Sequence, residues 1–175
     1  VNIARALISD PEFIVADEPV SMIDASSRAE ILSLLRDLSV ARGLTMLSIT
    51  HDLASARHSA DRIAVMYAGR VVEVAPARQL IGDPRPPFPT SAWNDALLAA
   101  VPEPDPANRL RERPVVGGEP PSPSALPSGC AFHPRCPVAI AGTCELVDPP
   151  LVRRSGGGLV ACHHYQPRNL TCAVR

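Results

Sequence analysis

Apolar and polar positions change rhythm repeatedly over the first 80 residues. Residues 1–9 read as the end of a helix. A short apolar run, Phe13 to Ala16, then stops abruptly at Asp17-Glu18-Pro19. A run of that length between turn signals suits a buried parallel strand. From about Ser26 to Ala41 the period lengthens. Ile31, Leu34, Leu35 and Leu38 fall at i, i+3, i+4 and i+7, one face of a helix. Gly43 is placed to end that helix. Leu44 to Thr50 is a second strand-like run, and Asp52 to about Ser59 a short helix. Ile63–Tyr67 and Arg70–Val74 flank Ala68-Gly69, which predicts a hairpin. Gln79 to Gly82 gives a helical turn, and Leu97 to Ala100 a last helical hint. Strands alternating with helices predict an α/β fold.

Composition divides the chain further. Of 20 prolines, two precede residue 76 and eighteen lie from Pro76 onward. Residues 102–128 hold eight of them and predict an extended, poorly ordered stretch. The expected organisation is therefore a compact segment 1–80, a proline-rich connector 81–128 and a terminal segment 129–175. No internal repeat is evident. The net charge of −1, with no basic stripe, gives no footprint for nucleic acid. Trp93 is the one tryptophan, and aromatics make up 3%, little material for stacking on bases. No apolar run approaches the length of a membrane span, and no signal peptide is visible.

The chemistry-bearing residues gather where strands end. Asp17 and Glu18 close the first strand, and strand ends are where α/β sheets present their chemistry. One carboxylate there can hold hydrated Mg²⁺ while the next polarises a water. Asp24 follows closely. The second strand ends in His51-Asp52, where an imidazole can reach a phosphate near the carboxylates. Taken singly, the acidic pair reads equally as a solvated turn, and His51 as a residue beside a helix cap. Order and spacing decide between these readings.

Together the residues resemble the second half of the nucleotide-binding domain of ABC transporters. Ile3-Ala4-Arg5-Ala6-Leu7 matches the helix after that family's signature motif. Phe13 to Glu18 matches the Walker B strand, Ser21-Met22-Ile23-Asp24 the D-loop, and Ile49-Thr50-His51-Asp52 the H-loop. Asp61 to Met66 and Gly69 to Glu73 match the closing strand pair. The resemblance implies a P-loop NTPase-like sheet and four roles. Glu18 orients and deprotonates water, Asp17 holds Mg²⁺ through its water shell, His51 contacts the γ-phosphate of ATP, and Asp24 couples two sites across a dimer. The Walker A loop requires a lysine, and all 17 basic residues here are arginine. The chain starts without methionine inside a helix pattern. It is therefore read as a C-terminal fragment, expected alone neither to bind ATP tightly nor to hydrolyse it.

Cys130, Cys136, Cys144 and Cys162 form a second constellation, spaced C-x₅-C-x₇-C-x₁₇-C, with Cys172 outside it. Disulfides do not suit a reducing cytosol, and the paired knuckles typical of structural zinc are missing. Four thiolates can ligate a [4Fe–4S] cube, so spacing alone leaves zinc and iron–sulfur open beside four free thiols packed as small apolar groups. Gly129-Cys130-Ala131-Phe132-His133-Pro134-Arg135-Cys136-Pro137 resembles the C-terminal extension of oligopeptide/dipeptide importer ATPases. Pro149-Pro150-Leu151 and Val160-Ala161-Cys162-His163 continue the match. That resemblance implies a [4Fe–4S] cluster on the four cysteines, with Zn²⁺ as the alternative and His133, His163 and His164 outside the ligand set. One stretch departs: the family's His-Pro-Tyr-Thr is replaced here by Pro86-Pro87-Phe88-Pro89-Thr90, which affects the substrate subclass.

The whole resemblance implies the ATP-hydrolysing subunit of a peptide importer, peripheral on the cytoplasmic face of the cell membrane. Its implied partners are a second ATPase subunit, two membrane-spanning permease subunits and, indirectly, an extracytoplasmic peptide-binding protein. Two other readings compete. A non-transport ABC ATPase is opposed by the cysteine segment and the missing basic patch. A metal-binding module on an inert scaffold is opposed by the motif density of residues 1–80.

Overall fold

The structure, a computed structural model, describes residues 2–81, 117–154 and 157–166. Contacts divide the chain into two compact units, residues 1–61 and 62–175.

The first unit runs α1 (Asn2–Leu7), β1 (Phe13–Asp17), α2 (Ala25–Arg42), β2 (Thr45–Ile49) and α3 (Leu53–Ser59). Strands β1 and β2 pair in parallel, from Phe13 opposite Thr45 to Asp17 opposite Ile49. Parallel neighbours need a crossover, and α2 supplies it. Asp24 starts that helix with an extended backbone, and its carboxylate accepts the Ser27 N–H at 3.0 Å. Gly43 ends it at φ 64°, where its N–H reaches the carbonyls of Ser39 and Val40. A left-handed residue costs glycine no Cβ clash, so the expected stop is the observed one.

Burial departs from the expected pattern in two places. Leu35 is buried, but Leu34 is 53% exposed. Strand β1 alternates, with Ile14 and Ala16 half-buried and Phe13 and Val15 about half exposed, and in β2 only Met46 is half-buried. A strand covered on both faces would not alternate, so among the described residues one face of this sheet is open.

The second unit contains β3 (Arg62–Tyr67), β4 (Arg70–Pro76), α4 (Ala77–Ile81), β5 (Val152–Arg153) and β6 (Leu159–Val160). The hairpin β3–β4 forms as predicted. Ala68 and Gly69 both have positive φ, 49° and 78°, as the tight turn matched to strand twist requires. A register shift after Val65 leaves Val72 as an extra residue. This bulge breaks the period of two, and Val72 and Glu73 are consecutively buried.

The sheet order is β3-β4-β6-β5, with Glu73 opposite Val160 and Val74 opposite Leu159. The hairpin assigned by sequence to the segment 1–80 thus shares a sheet with strands from the segment 129–175. Its core joins Val65, Val72, Ala75 and Leu80 to Cys130, Phe132 and Cys144. Glu73, 1% exposed, pairs with the Arg154 guanidinium at 3.0 Å. Arg154 also lies over the Tyr165 ring, 5.5 Å from its centroid. Residues 117–128 contain turns but neither helix nor strand. The helical hint at 97–100, the altered stretch at 86–90 and residues 102–116 lie outside the described residues.

Candidate functional site

In the first unit, the end of β1 and the loop after β2 bring Glu18 and His51 together. The Glu18 N–H donates to the Ile49 carbonyl at 2.9 Å, continuing the strand pairing one residue beyond Asp17. Glu18 then turns into the left-handed region at φ 46°. A non-glycine residue there is strained by roughly 1–3 kcal/mol, and such residues cluster at functional sites. The Ser21 N–H and hydroxyl both donate to the Glu18 carbonyl, at 3.2 and 3.1 Å. Its side chain points back to His51: Oε1 accepts the His51 backbone N–H at 3.2 Å and lies 2.6 Å from Nδ1.

Asp17 sits immediately before this pair, exposed at the strand end. The group is a carboxylate held by an imidazole with a second carboxylate adjacent in sequence. Such a set can bind a hydrated cation and take a proton from water.

Asp24 is seated differently. Its carboxylate caps α2, accepting the Ser26 hydroxyl at 2.6 Å as well as the Ser27 N–H. These bonds, Ser26 first, lower its pKa to about 2. The next residue after His51, Asp52, caps α3 by accepting the Ser55 N–H at 3.3 Å, and faces Arg28 at 3.6 Å.

The second unit holds the four cysteines. Cys130 and Cys144 are buried, and Cys136 and Cys162 partly so; all four are free thiols. The Cys130 N–H donates to the Cys144 carbonyl at 2.8 Å. That approach depends on Gly129, at φ 66°, where an added Cβ would stand 2.5 Å from the Cys144 carbonyl oxygen. A tight turn at His133–Arg135 then leads into Cys136.

Backbone amides converge on the sulfurs. The Ile140 N–H reaches Cys144 Sγ at 3.3 Å. Phe132 and His133 supply N–H groups to Cys130, Val138 to Cys136, and His164 to Cys162. Burial nonetheless pushes the Cys130, Cys136 and Cys162 thiols up, Cys162 to about 11, and neighbouring cysteine sulfurs push the same way. Among the described residues, no three His, Cys, Asp or Glu side chains are grouped to hold a single metal ion.

The nearby histidines are engaged elsewhere. His133 Nδ1 lies 3.0 Å from the Cys130 carbonyl, His163 Nε2 2.8 Å from that of Val147, and His164 Nε2 2.7 Å from that of Val138. Sequence reasoning overlooked the aromatic support of this region. Tyr67 meets Phe132 edge-on, centroids 5.5 Å apart, and the Arg135 guanidinium lies over Phe132 while donating to the Tyr67 hydroxyl at 3.4 Å. Phe132 and Arg135 stand in the quoted cysteine motif, but Tyr67, far off in sequence, gives no such signal. Cys172 lies outside the described residues.

The family described as "Oligopeptide/dipeptide transporter, C-terminal region" matches residues 72–144. A probable peptide ABC transporter ATP-binding protein of Sinorhizobium fredii is 48% identical over 95% of this chain and 45% of its own length. A putative oligopeptide transport ATP-binding protein of Bacillus subtilis is 44% identical over 95% of this chain and 49% of its own. The dipeptide transport ATP-binding protein of Haemophilus influenzae is 43% identical over 94% of this chain and 48% of its own. The chain spans about half the length of the curated relatives it matches. The chain is thus similar over nearly all of its length to ATP-binding proteins of peptide ABC transporters, and the matched C-terminal region takes in Cys130, Cys136 and Cys144.

Proposed function

We propose that this chain is part of the ATP-hydrolysing subunit of an oligopeptide or dipeptide importer. The observation that carries the reading is the Glu18 carboxylate, 2.6 Å from His51 Nδ1 and directly after Asp17. Glu18 orients the attacking water and takes its proton. His51 holds that carboxylate in place and contacts the γ-phosphate. Asp17 holds Mg²⁺ through its water shell. Asp24, fixed as an ionised helix cap, lies in the loop that couples the two sites of a dimer. Residues 1–80 form the C-terminal part of the ATPase domain, 81–128 the connector and 129–175 the cysteine extension. The partners are a second ATPase subunit and two permease subunits, with a peptide-binding protein outside the membrane. The subunit sits peripherally on the cytoplasmic face. Names carried by the relatives support the importer assignment.

The test uses the full-length protein reconstituted in vesicles with two membrane-spanning permease subunits of a peptide importer. Hydrolysis of ATP that rises when peptide-loaded binding protein is added is the expected result. Hydrolysis indifferent to peptide, with no membrane subunit co-purifying, would favour a non-transport ABC ATPase instead.

Cys130, Cys136, Cys144 and Cys162 are proposed to hold one [4Fe–4S] cluster, Zn²⁺ being the alternative. What supports the reading is the chemistry of the donors, four cysteines with backbone N–H groups aimed at sulfurs and nearby histidines turned to carbonyls, although among the described residues the side chains are not gathered around one ion. When bound, a cluster supplies a covalent cross-link and a redox centre. Protein purified without oxygen should carry about four irons and four sulfides per chain. Serine at any of the four positions should lower the iron content, and so should Gly129→Ala, whose Cβ would push Cys144 away from Cys130. Cys172→Ser should leave it unchanged. Stoichiometric zinc without iron would replace the cluster by the alternative.

A further inference from the structure

A cleft between α2 and α3 lies outside the groups described so far. Its volume is about 450 Å³, within the usual range for small-molecule sites. Arg28, Ala29, Leu32, Ser33 and Arg36 form one wall, and Ser55, His58 and Ser59 the other. The α2 residues recur at i, i+1, i+4, i+5 and i+8, one continuous stripe. Ala29 and Leu32 provide apolar surface between the two arginines.

The charges in this cleft are unbalanced. No carboxylate lines it. Asp52, at its edge, approaches Arg28 at 3.6 Å and is also engaged by the Ser55 hydroxyl at 2.5 Å. Arg28 gives one further N–H to the Ile23 carbonyl at 3.3 Å, and its Nε is buried without a hydrogen-bond partner. A buried N–H in that state is costly and calls for an acceptor. Arg36 spans the cleft and donates Nη1 to the His58 carbonyl at 2.7 Å. Among the described residues no carboxylate faces its guanidinium. Ser33, one turn before Arg36 on α2, also lines the cleft with its hydroxyl-bearing side chain.

We propose that this cleft binds a small organic anion, one carboxylate carried on a short apolar body. The carboxylate lies against Arg36, within reach of Ser33, and the body lies on Leu32 and Ala29. A planar guanidinium is the side chain best matched to a carboxylate. The site is independent of the hydrolysis reading, since none of its lining residues belongs to the group at Glu18 and His51.

The probe is hexanoate, titrated calorimetrically into the full-length protein, with hexanamide as its uncharged counterpart. Hexanoate should bind saturably, and hexanamide about tenfold more weakly or not at all, as expected for loss of a charge-assisted hydrogen bond. Arg36→Gln should weaken hexanoate about tenfold, and Ala29→Trp, which fills the cleft from an exposed helix position, should abolish binding. Arg57→Gln, outside the cleft, should change nothing. Thermal melting of each variant checks that it folds. Absence of saturable binding to the folded protein overturns the site. So does equal affinity for hexanamide, or affinity unchanged in both cleft variants. Binding of an acidic helical peptide without binding of hexanoate would also overturn it, by making the cleft a protein-docking groove.

Discussion

Glu18→Gln in the full-length protein is expected to lower ATP turnover by about 10²-fold or more, the scale of losing a positioned general base, while ATP still binds. The substitution is nearly isosteric. Glutamine's carbonyl oxygen can still accept the His51 backbone N–H now held at 3.2 Å, so the left-handed turn at residue 18 has the same anchors. What disappears is the capacity to take a proton. A 10²-fold loss corresponds to about 2.7 kcal/mol of transition-state stabilisation. Because binding persists and the chemical step stalls, the variant should accumulate as a nucleotide-loaded dimer. Steady-state phosphate release and nucleotide retention on gel filtration measure the two effects separately. Near-normal turnover would remove Glu18 from the role, and loss of nucleotide binding would mean that it positions the nucleotide.

The largest expected effect on stability lies at Glu73. Arg154→Met removes the guanidinium 3.0 Å from a carboxylate that is 1% exposed. Breaking one side of a buried ion pair typically costs about 3–5 kcal/mol, because the remaining charge keeps its desolvation penalty. Methionine retains much of the stem packing, so the loss reports on charge more than volume. The paired change Glu73→Leu with Arg154→Met should recover most of the loss, since apolar replacement of a whole buried pair is often close to neutral. Urea denaturation of Arg154→Met, Glu73→Leu and the double variant, followed by tyrosine fluorescence near Tyr165, measures this cycle. A single substitution costing under about 1 kcal/mol would mean that the pair is effectively solvated.

The sequence was most informative where structure is local. The helix over α2 is legible because Ile31, Leu34, Leu35 and Leu38 recur at helical spacing and Gly43 stops it, whereas the Asp24 cap appears only in the structure. The hairpin at Ala68-Gly69 is legible from local residues too. Phe13 to Ala16 and Leu44 to Thr50 announce themselves as strands by composition. The acidic pair and the histidine stand where strand ends put them. Leu34 misled because periodicity defines a helical face without saying how wide a surface will cover it.

The pairing of Glu18 with His51 joins residues 33 apart, and the sequence could place both at strand ends but not orient either side chain. Strands β5 and β6 are too short, at two residues each, to leave any alternation to read. Only their pairing with β4 makes them strands. Glu73 reads as an exposed polar position in a strand. It is interior because a bulge shifts the register at Val72 and because Arg154, 81 residues later, supplies the opposite charge. Gly129 likewise looks like an ordinary loop glycine until the Cys144 carbonyl is seen against it. Local chemistry thus determined the elements, the likeness to peptide transporter ATP-binding proteins and the reactive residue types. Tertiary structure decided burial, charge pairing and the approach of distant backbones, because each depends on groups that the chain brings together only on folding.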